Sequence, residues 1–373
     1  MKRSTLFSAI ALAAAALAAM PDAEARRAQP GHRFVGSVEA QIRSNDNVSI
    51  ARSSGESFDF AGRDEFGSED DEEGEEEGDD EGFEDDDGFD DLLDLDFSEE
   101  DLAIDDALDE DGDGLDDLLD PDAVERVDSE SRFTAKLALG HRYTFADGRT
   151  TWTNGLRFAT DRHAQRDDLD KFNWAATTGL GFASNDGRHA FRPSLSYVVL
   201  DKRVAGKFSS TAVVSMDYSY RASRRTSLGV TYNYQDKDIA SPAAPDARID
   251  TLSFSASFAA TGNDIVKVEF SPKVEDSTQF TRNTDAWGWE IAYTRRLPWD
   301  MTAGLGYRFD SVDYKNLVPN REDDHRVIGA QLARSFGRRF VLELGLESAE
   351  RESNLPGKDA RNDSVYLGGT WKF

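Results

Sequence analysis

The chain has 373 residues, 43 Lys and Arg against 73 Asp and Glu, a formal net charge of -30 and no cysteine. The missing cysteine excludes disulfide stapling, a thiol nucleophile and thiolate metal sites, so strand pairing and burial have to hold the fold. The acidity is local: residues 56–130 hold 39 of the acids and two of the bases, which leaves 34 acids and 41 bases for the rest. The chain is therefore a polyanion of net charge -37 joined to a mildly basic body of net charge +7.

The amino end reads "MKRSTLFSAIALAAAALAAMPDAEA", with Lys2 and Arg3, an apolar run from Leu6 to Met20 and Ala23-Glu24-Ala25. That is the layout of a secretory signal peptide over residues 1–25 with a small-x-small cleavage site. Downstream, no run reaches the roughly 18 to 20 apolar residues of a membrane-spanning helix, so an exported chain of this kind is either soluble or a barrel. Residues 26–55 form an N-terminal segment with one predicted strand in "RFVGSVEAQIRSNDNVS", where Phe34, Gly36, Val38, Ala40 and Ile42 share a face.

Residues 56–130 form an acidic low-complexity insert. Its first half, glycine and carboxylate, cannot bury enough surface to fold alone, and the expectation is a long disordered segment. From Phe83 onward, Phe89, Leu92, Leu93, Leu95, Phe97, Leu102, Ile104 and Leu108 are interleaved with acids, a pattern for short amphipathic helices under charge screening. Within it "DEDGDGLDDLLD" puts Asp109, Asp111, Asp113, Asp117 and Asp120 at oxygen-ligand positions of a calcium loop, with Gly114 at the sharp turn. Asp120 stands where such a loop carries a bidentate Glu, and Asp116 where it carries an apolar residue. Acid-rich sequence also produces such matches by accident, and diffuse binding of divalent cations competes with a specific site. No other cofactor is expected, and Ca²⁺ is the ion this loop would take.

From residue 131 to the end, stretches of 11 to 15 residues alternate apolar with polar. "FTAKLALGHRYTF" carries Phe133, Ala135, Leu137, Leu139, Tyr143 and Phe145 in one register. "TTWTNGLRFAT" follows a tight turn at Asp147-Gly148, with Trp152, Leu156 and Phe158 in register, and the two form a hairpin. Short connections recur at 185–187, 223–225, 262–264, 297–298 and 337–338. Longer polar ones fall at 162–170, 201–207, 237–248, 276–284, 314–324 and 353–362. Alternating short and long loops are the signature of an up-and-down membrane barrel. Thirteen predicted strands after residue 130 and one before the insert give an even number.

A soluble sandwich has the same period, but these strands exceed the usual five or six residues. Trp152, Trp174, Tyr220, Tyr232, Trp287, Trp371 and Phe373 lie near predicted strand ends as interface girdles. The fold class expected is all-β, a transmembrane antiparallel up-and-down β-barrel of fourteen strands over 131–373 and the N-terminal strand, interrupted by the insert.

The closing "VYLGGTWKF" resembles the C-terminal strand of bacterial outer-membrane barrels, whose final aromatic and alternating apolar residues are the signal read by the barrel assembly machinery. The resemblance covers roughly residues 132–373 and implies an outer-membrane location, with lipid and that machinery as partners. "NREDDHRVIGAQLARSFGRRFVLELGLE" is similar to the penultimate hairpin of two families, the porin-like barrels of exopolysaccharide-linked outer-membrane proteins and the barrel of surface lipoprotein assembly modifiers. The helical repeats that precede the second kind are missing. Such barrels include porins, export channels, adhesins and enzymes, so the resemblance is silent on function.

Of the five histidines, His141 falls on the aromatic side of a strand, and His163 and His325 fall in or beside predicted outer loops. No catalytic triad, phosphate loop or zinc spacing is legible, and neither an enzyme nor a nucleic-acid partner is expected. The register turns Lys136, Arg142, Arg157, Arg192, Lys267, Lys273 and Arg308 inward, opposed by Asp217, Glu269, Glu290, Asp310, Glu343 and Glu347. Charges of both signs on a wetted wall filter solutes by charge and size. Alternatively they pair across neighbouring strands and only hold the wall together. The expectation is a channel or export pore for small solutes or a secreted polymer. The alternative is a barrel-anchored surface binding or adhesion protein.

Overall fold

The computed structural model describes residues 31–45, 130–164, 170–202, 206–240, 246–278 and 282–373. The signal-peptide segment, nearly all of the acidic insert and its five candidate calcium ligands Asp109, Asp111, Asp113, Asp117 and Asp120 lie outside these residues. Fourteen strands follow in chain order: β1 (His32–Asn45), β2 (Glu130–Thr144), β3 (Thr150–His163), β4 (Lys171–Ala183), β5 (His189–Lys202), β6 (Gly206–Ser223), β7 (Thr226–Ile239), β8 (Ala247–Thr261), β9 (Asp264–Ser277), β10 (Thr284–Leu297), β11 (Met301–Tyr314), β12 (Arg321–Phe336), β13 (Phe340–Ser353) and β14 (Ala360–Lys372). Each pairs antiparallel with its chain neighbours, and β1 pairs with β14, so the sheet is a closed barrel. Among the described residues no helix is long and apolar enough to cross a membrane. Crossing falls to the strands.

Alternation decides which way each side chain points. On β9, Val266, Val268, Phe270, Pro272 and Val274 face out and Lys267, Glu269, Ser271 and Lys273 face in. The outward set is exposed although apolar, with Val268, Phe270 and Val274 each at least 40% accessible. Leu305 and Ile328 (58% each), Leu346 and Leu367 behave alike on other strands. An apolar belt exposed all round a closed barrel fits lipid, because a soluble protein of this size would not leave it to water. Asp264 and Asp276 bound the belt on β9. The nine residues between Val266 and Val274 cover about 30 Å of strand, or about 23 Å of height at a tilt near 40°, which matches the apolar band of a bilayer.

The strands continue past this belt toward the rim that carries the 46–129 connection. There the outward face turns charged, and Arg326 bonds Glu352 (2.8 Å) and Lys315 meets Asp285 (2.5 Å). This corrects the connections expected at 314–324 and 353–362. β11 runs to Tyr314, β12 begins at Arg321, and β13 to β14 leaves only residues 354–359 between strands. The polar sequence "NREDDHR" reads as loop because no apolar residue marks its period, yet from Arg321 on it is strand above the lipid.

The opposite rim carries tight turns. At Asp147-Gly148, the Asp147 carboxylate accepts the amides of Arg149 (3.0 Å) and Thr150 (2.9 Å) and the Thr150 hydroxyl (2.6 Å). These bonds hold its pKa down at about 2, and Gly148 takes the left-handed φ of 68° that the turn requires. Tyr232, expected near a strand end, instead lies midway along β7, and its hydroxyl reaches back to Asp250 (2.5 Å) beside the charged collar.

Closure rests on the β1–β14 seam. It has nine register pairs, Ser37–Lys372 to Asn45–Ser364, against fourteen between β1 and β2. Phe373 extends it by a reciprocal pair of main-chain bonds with Gly36 (2.8 and 3.0 Å), and its ring packs where a Gly36 side chain would stand. Deleting Phe373 removes both bonds at the short-turn end of the seam. The expected outcome is a lower heat-modifiable fraction in outer-membrane preparations, and unchanged assembly would show that the seam does not depend on its last residue.

Candidate functional site: the charged lumen

All thirteen residues of the expected lining set stand on the inward register, opposite the apolar belt. Lys136 and Arg142 alternate with outward Leu137, Leu139 and His141 on β2, and Arg157 lies on β3. Arg192 on β5 sits directly across from Asp217 on β6, and Thr231 of β7 donates to Asp217 (2.8 Å). Lys267, Glu269 and Lys273 follow on β9, Glu290 on β10, Arg308 and Asp310 on β11, and Glu343 and Glu347 on β13.

Several of these charges meet one another. Lys136 approaches Glu39 of β1 (3.4 Å) and Arg308 approaches Asp310 two residues along its strand (3.4 Å). Glu290 faces Glu269 across one seam and Arg308 across the other, so a guanidinium stands beside two like-charged carboxylates. Ser271 donates to Glu269 (3.0 Å). Asp310 also lies in the fields of Lys273 and His325.

Toward the rim with the long connection, the wall carries a cluster of which the lining set included only Glu347 and Asp310. Arg43 of β1 meets Glu347 of β13 (3.3 Å), both side chains 3% exposed, and its guanidinium lies over the Tyr366 ring of β14 (5.1 Å). The Tyr366 ring packs against Gly345 of β13, filling the space a Cβ would need. Gly288 does the same for Asp310: the carboxylate rests where a Gly288 side chain would be. Arg321 grips Asp323 with Nε and Nη2 (3.0 and 2.7 Å) and stacks on Tyr314. Arg43, Arg321 and Tyr366 were legible in principle, since each holds the non-apolar register of its strand. The facing of Tyr366 on Gly345 needs the β13–β14 register, which no local pattern supplies.

The histidines divide by face. His325, expected in or beside a loop, is the fifth residue of β12 and points inward opposite Asp310. His32 and His141 face outward, nitrogen to nitrogen at 3.0 Å among Phe34, Tyr143 and Trp152, and His189 bonds the Tyr218 hydroxyl (2.7 Å). Among the described residues no group of three or more His, Asp or Glu could hold a metal ion.

A closed fourteen-strand barrel with an apolar outer belt and a charged inner wall defines the protein as a membrane-spanning β-barrel. No family model matches the chain, and no curated protein does. It is similar in fold to solved outer-membrane structures. These include the outer-membrane expressed OmpT of Vibrio cholerae (6% identity, 93% of this chain and 99% of that one, TM-score 0.47) and an anion-selective porin from Comamonas acidovorans (7%, 92% and 99%, TM-score 0.43). A third is described as a bacterial polysaccharide outer membrane secretin (10%, 90% and 98%, TM-score 0.41). Likenesses this distant concern the fold.

The Tyr366–Gly345 contact yields a test. Gly345→Ala places a methyl in the Tyr366 ring and should cost about 1–3 kcal/mol as an overpacking defect, read as a lower urea midpoint for unfolding in micelles. Tyr366→Ala in the same chain should relieve most of that added cost, because the two changes share one contact. An additive pair would show that the ring does not rest on the glycine.

Proposed function

We propose that the protein is a channel through the outer membrane, and that its inward charges form the polar wall of that channel. The observation that carries this reading is the inward face of the closed barrel, where Lys, Arg, Asp and Glu stand at every height while the outward face stays apolar through the belt. Charge at mid-depth on the lipid side would cost about 2–4 kcal/mol per Arg or Lys, so the segregation marks the inside as the polar phase. Fourteen strands enclose a wider interior than the eight that side chains alone can fill. Wall charges of both signs attract permeating ions without holding them, which is what conduction needs.

A second reading has its own support. Near the rim with the long connection the inward face is closely packed: Asp323, Asn362, Ser209 and Ile249 are each at most 1% exposed, and Arg43 is 3% exposed. A lumen shut at that height would make the barrel an anchor for a surface binding or adhesion function. Single-channel recording of the full chain in planar bilayers separates the two. Stable unitary steps are expected, and a fully folded, heat-modifiable protein that never conducts would overturn the channel and leave the anchor.

A further inference from the structure

The inward charges are unevenly spread round the wall. Where side chains are described, β1–β7 turn ten Lys and Arg inward against three acids, whereas β8–β14 turn seven of each inward. The excess is a property of composition and face, whatever each side chain pairs with. The basic residues of the first half also occupy the whole height. Arg142 and Arg221 stand third from the short-turn ends of β2 and β6, Arg157 and Lys136 stand midway, and Arg132 and Lys237 stand third from the opposite ends of β2 and β7.

Two features of the β1–β2 seam sharpen the asymmetry. Arg33 is registered directly opposite Arg142, and Arg43 directly opposite Arg132. Arg43 already meets Glu347 from its other side and is buried together with Arg132, so that pair belongs to the packed wall, whereas Arg33 is exposed. The planar fork of a guanidinium suits carboxylate and phosphate oxygens.

We infer that the β1–β7 half of the lumen is a path for anions, carried by its excess of inward Lys and Arg. This rests on the channel reading and deepens it. Bases near the short-turn rim, midway and near the opposite rim let an anion move along the wall instead of binding once. The chemistry recognised is an anionic oxygen group, whether carried by a small solute or by successive residues of an acidic polymer.

The test is the reversal potential of the full chain in planar bilayers under a KCl gradient. Chloride should pass several-fold more readily than potassium. Arg33→Gln with Arg142→Gln, and separately Arg157→Gln, should each lower that ratio, while the charge-balanced outward pair Arg326→Gln and Glu352→Gln should leave it in place. Arg221→Gln, an exposed site, serves if a seam variant fails to assemble. Preference for potassium in the intact protein, or a ratio unmoved by every arginine change, overturns the inference while the conductance keeps the channel. Absence of conductance removes the channel reading itself. Oligogalacturonate added to one side distinguishes the two sources: current blockades that weaken in the arginine variants assign the path to an acidic polymer, and an undisturbed chloride preference assigns it to small anions.

Discussion

A peptide group without a hydrogen-bond partner is too costly in hydrocarbon, and every other feature of this molecule follows from how that cost is avoided. Thirteen seams join strands adjacent in sequence, and twelve of those need only a loop. The β1–β14 seam must instead join the two ends of the barrel, and β1 must pair on both sides across the long connection that separates it from β2. Gly36 shows the constraint at one residue. It bonds the terminal Phe373 through both its amide and its carbonyl and gives up its side-chain space to that ring.

Once the sheet closes, period two divides every strand between two solvents. The outer register can be apolar without aggregating because no edge remains, and the inner register collects the charge that the outer one excludes. Packing inside follows a different rule from a globular core. Large polar side chains lie along the wall over glycines, as Tyr366 does on Gly345 and Asp310 on Gly288, and Arg43 then stacks on Tyr366 while meeting Glu347. The glycines in these strands therefore serve neighbours one strand away, which is why nothing in their own sequence context announces their purpose.

That difference also marks how far the sequence could be read. Strand number, the facing of Lys267 or Glu343 and the tight turn at Asp147 all follow from local alternation and turn chemistry, and the fold carries them. Strand ends did not follow, because alternation is visible only where lipid demands apolar residues. Beyond the belt the outward positions of β12 become Glu322, Asp324 and Arg326, the pattern dissolves, and His325 passes for a loop residue. The Arg43–Glu347 pair was out of reach for another reason: its partners are 304 residues apart and meet only through the closing seam. Which inward charges oppose one another depends on register, and register is set by the whole ring.

The central claim is that one face of every strand is in lipid. Five of the six tryptophans, Trp152, Trp174, Trp287, Trp289 and Trp371, stand on outward positions, and only Trp299 sits in a turn. In vesicles of brominated phospholipid the intrinsic tryptophan fluorescence should be largely quenched, with aqueous iodide removing little beyond the share of Trp299. Strong quenching by iodide together with indifference to brominated lipid would place these rings in water and contradict the account.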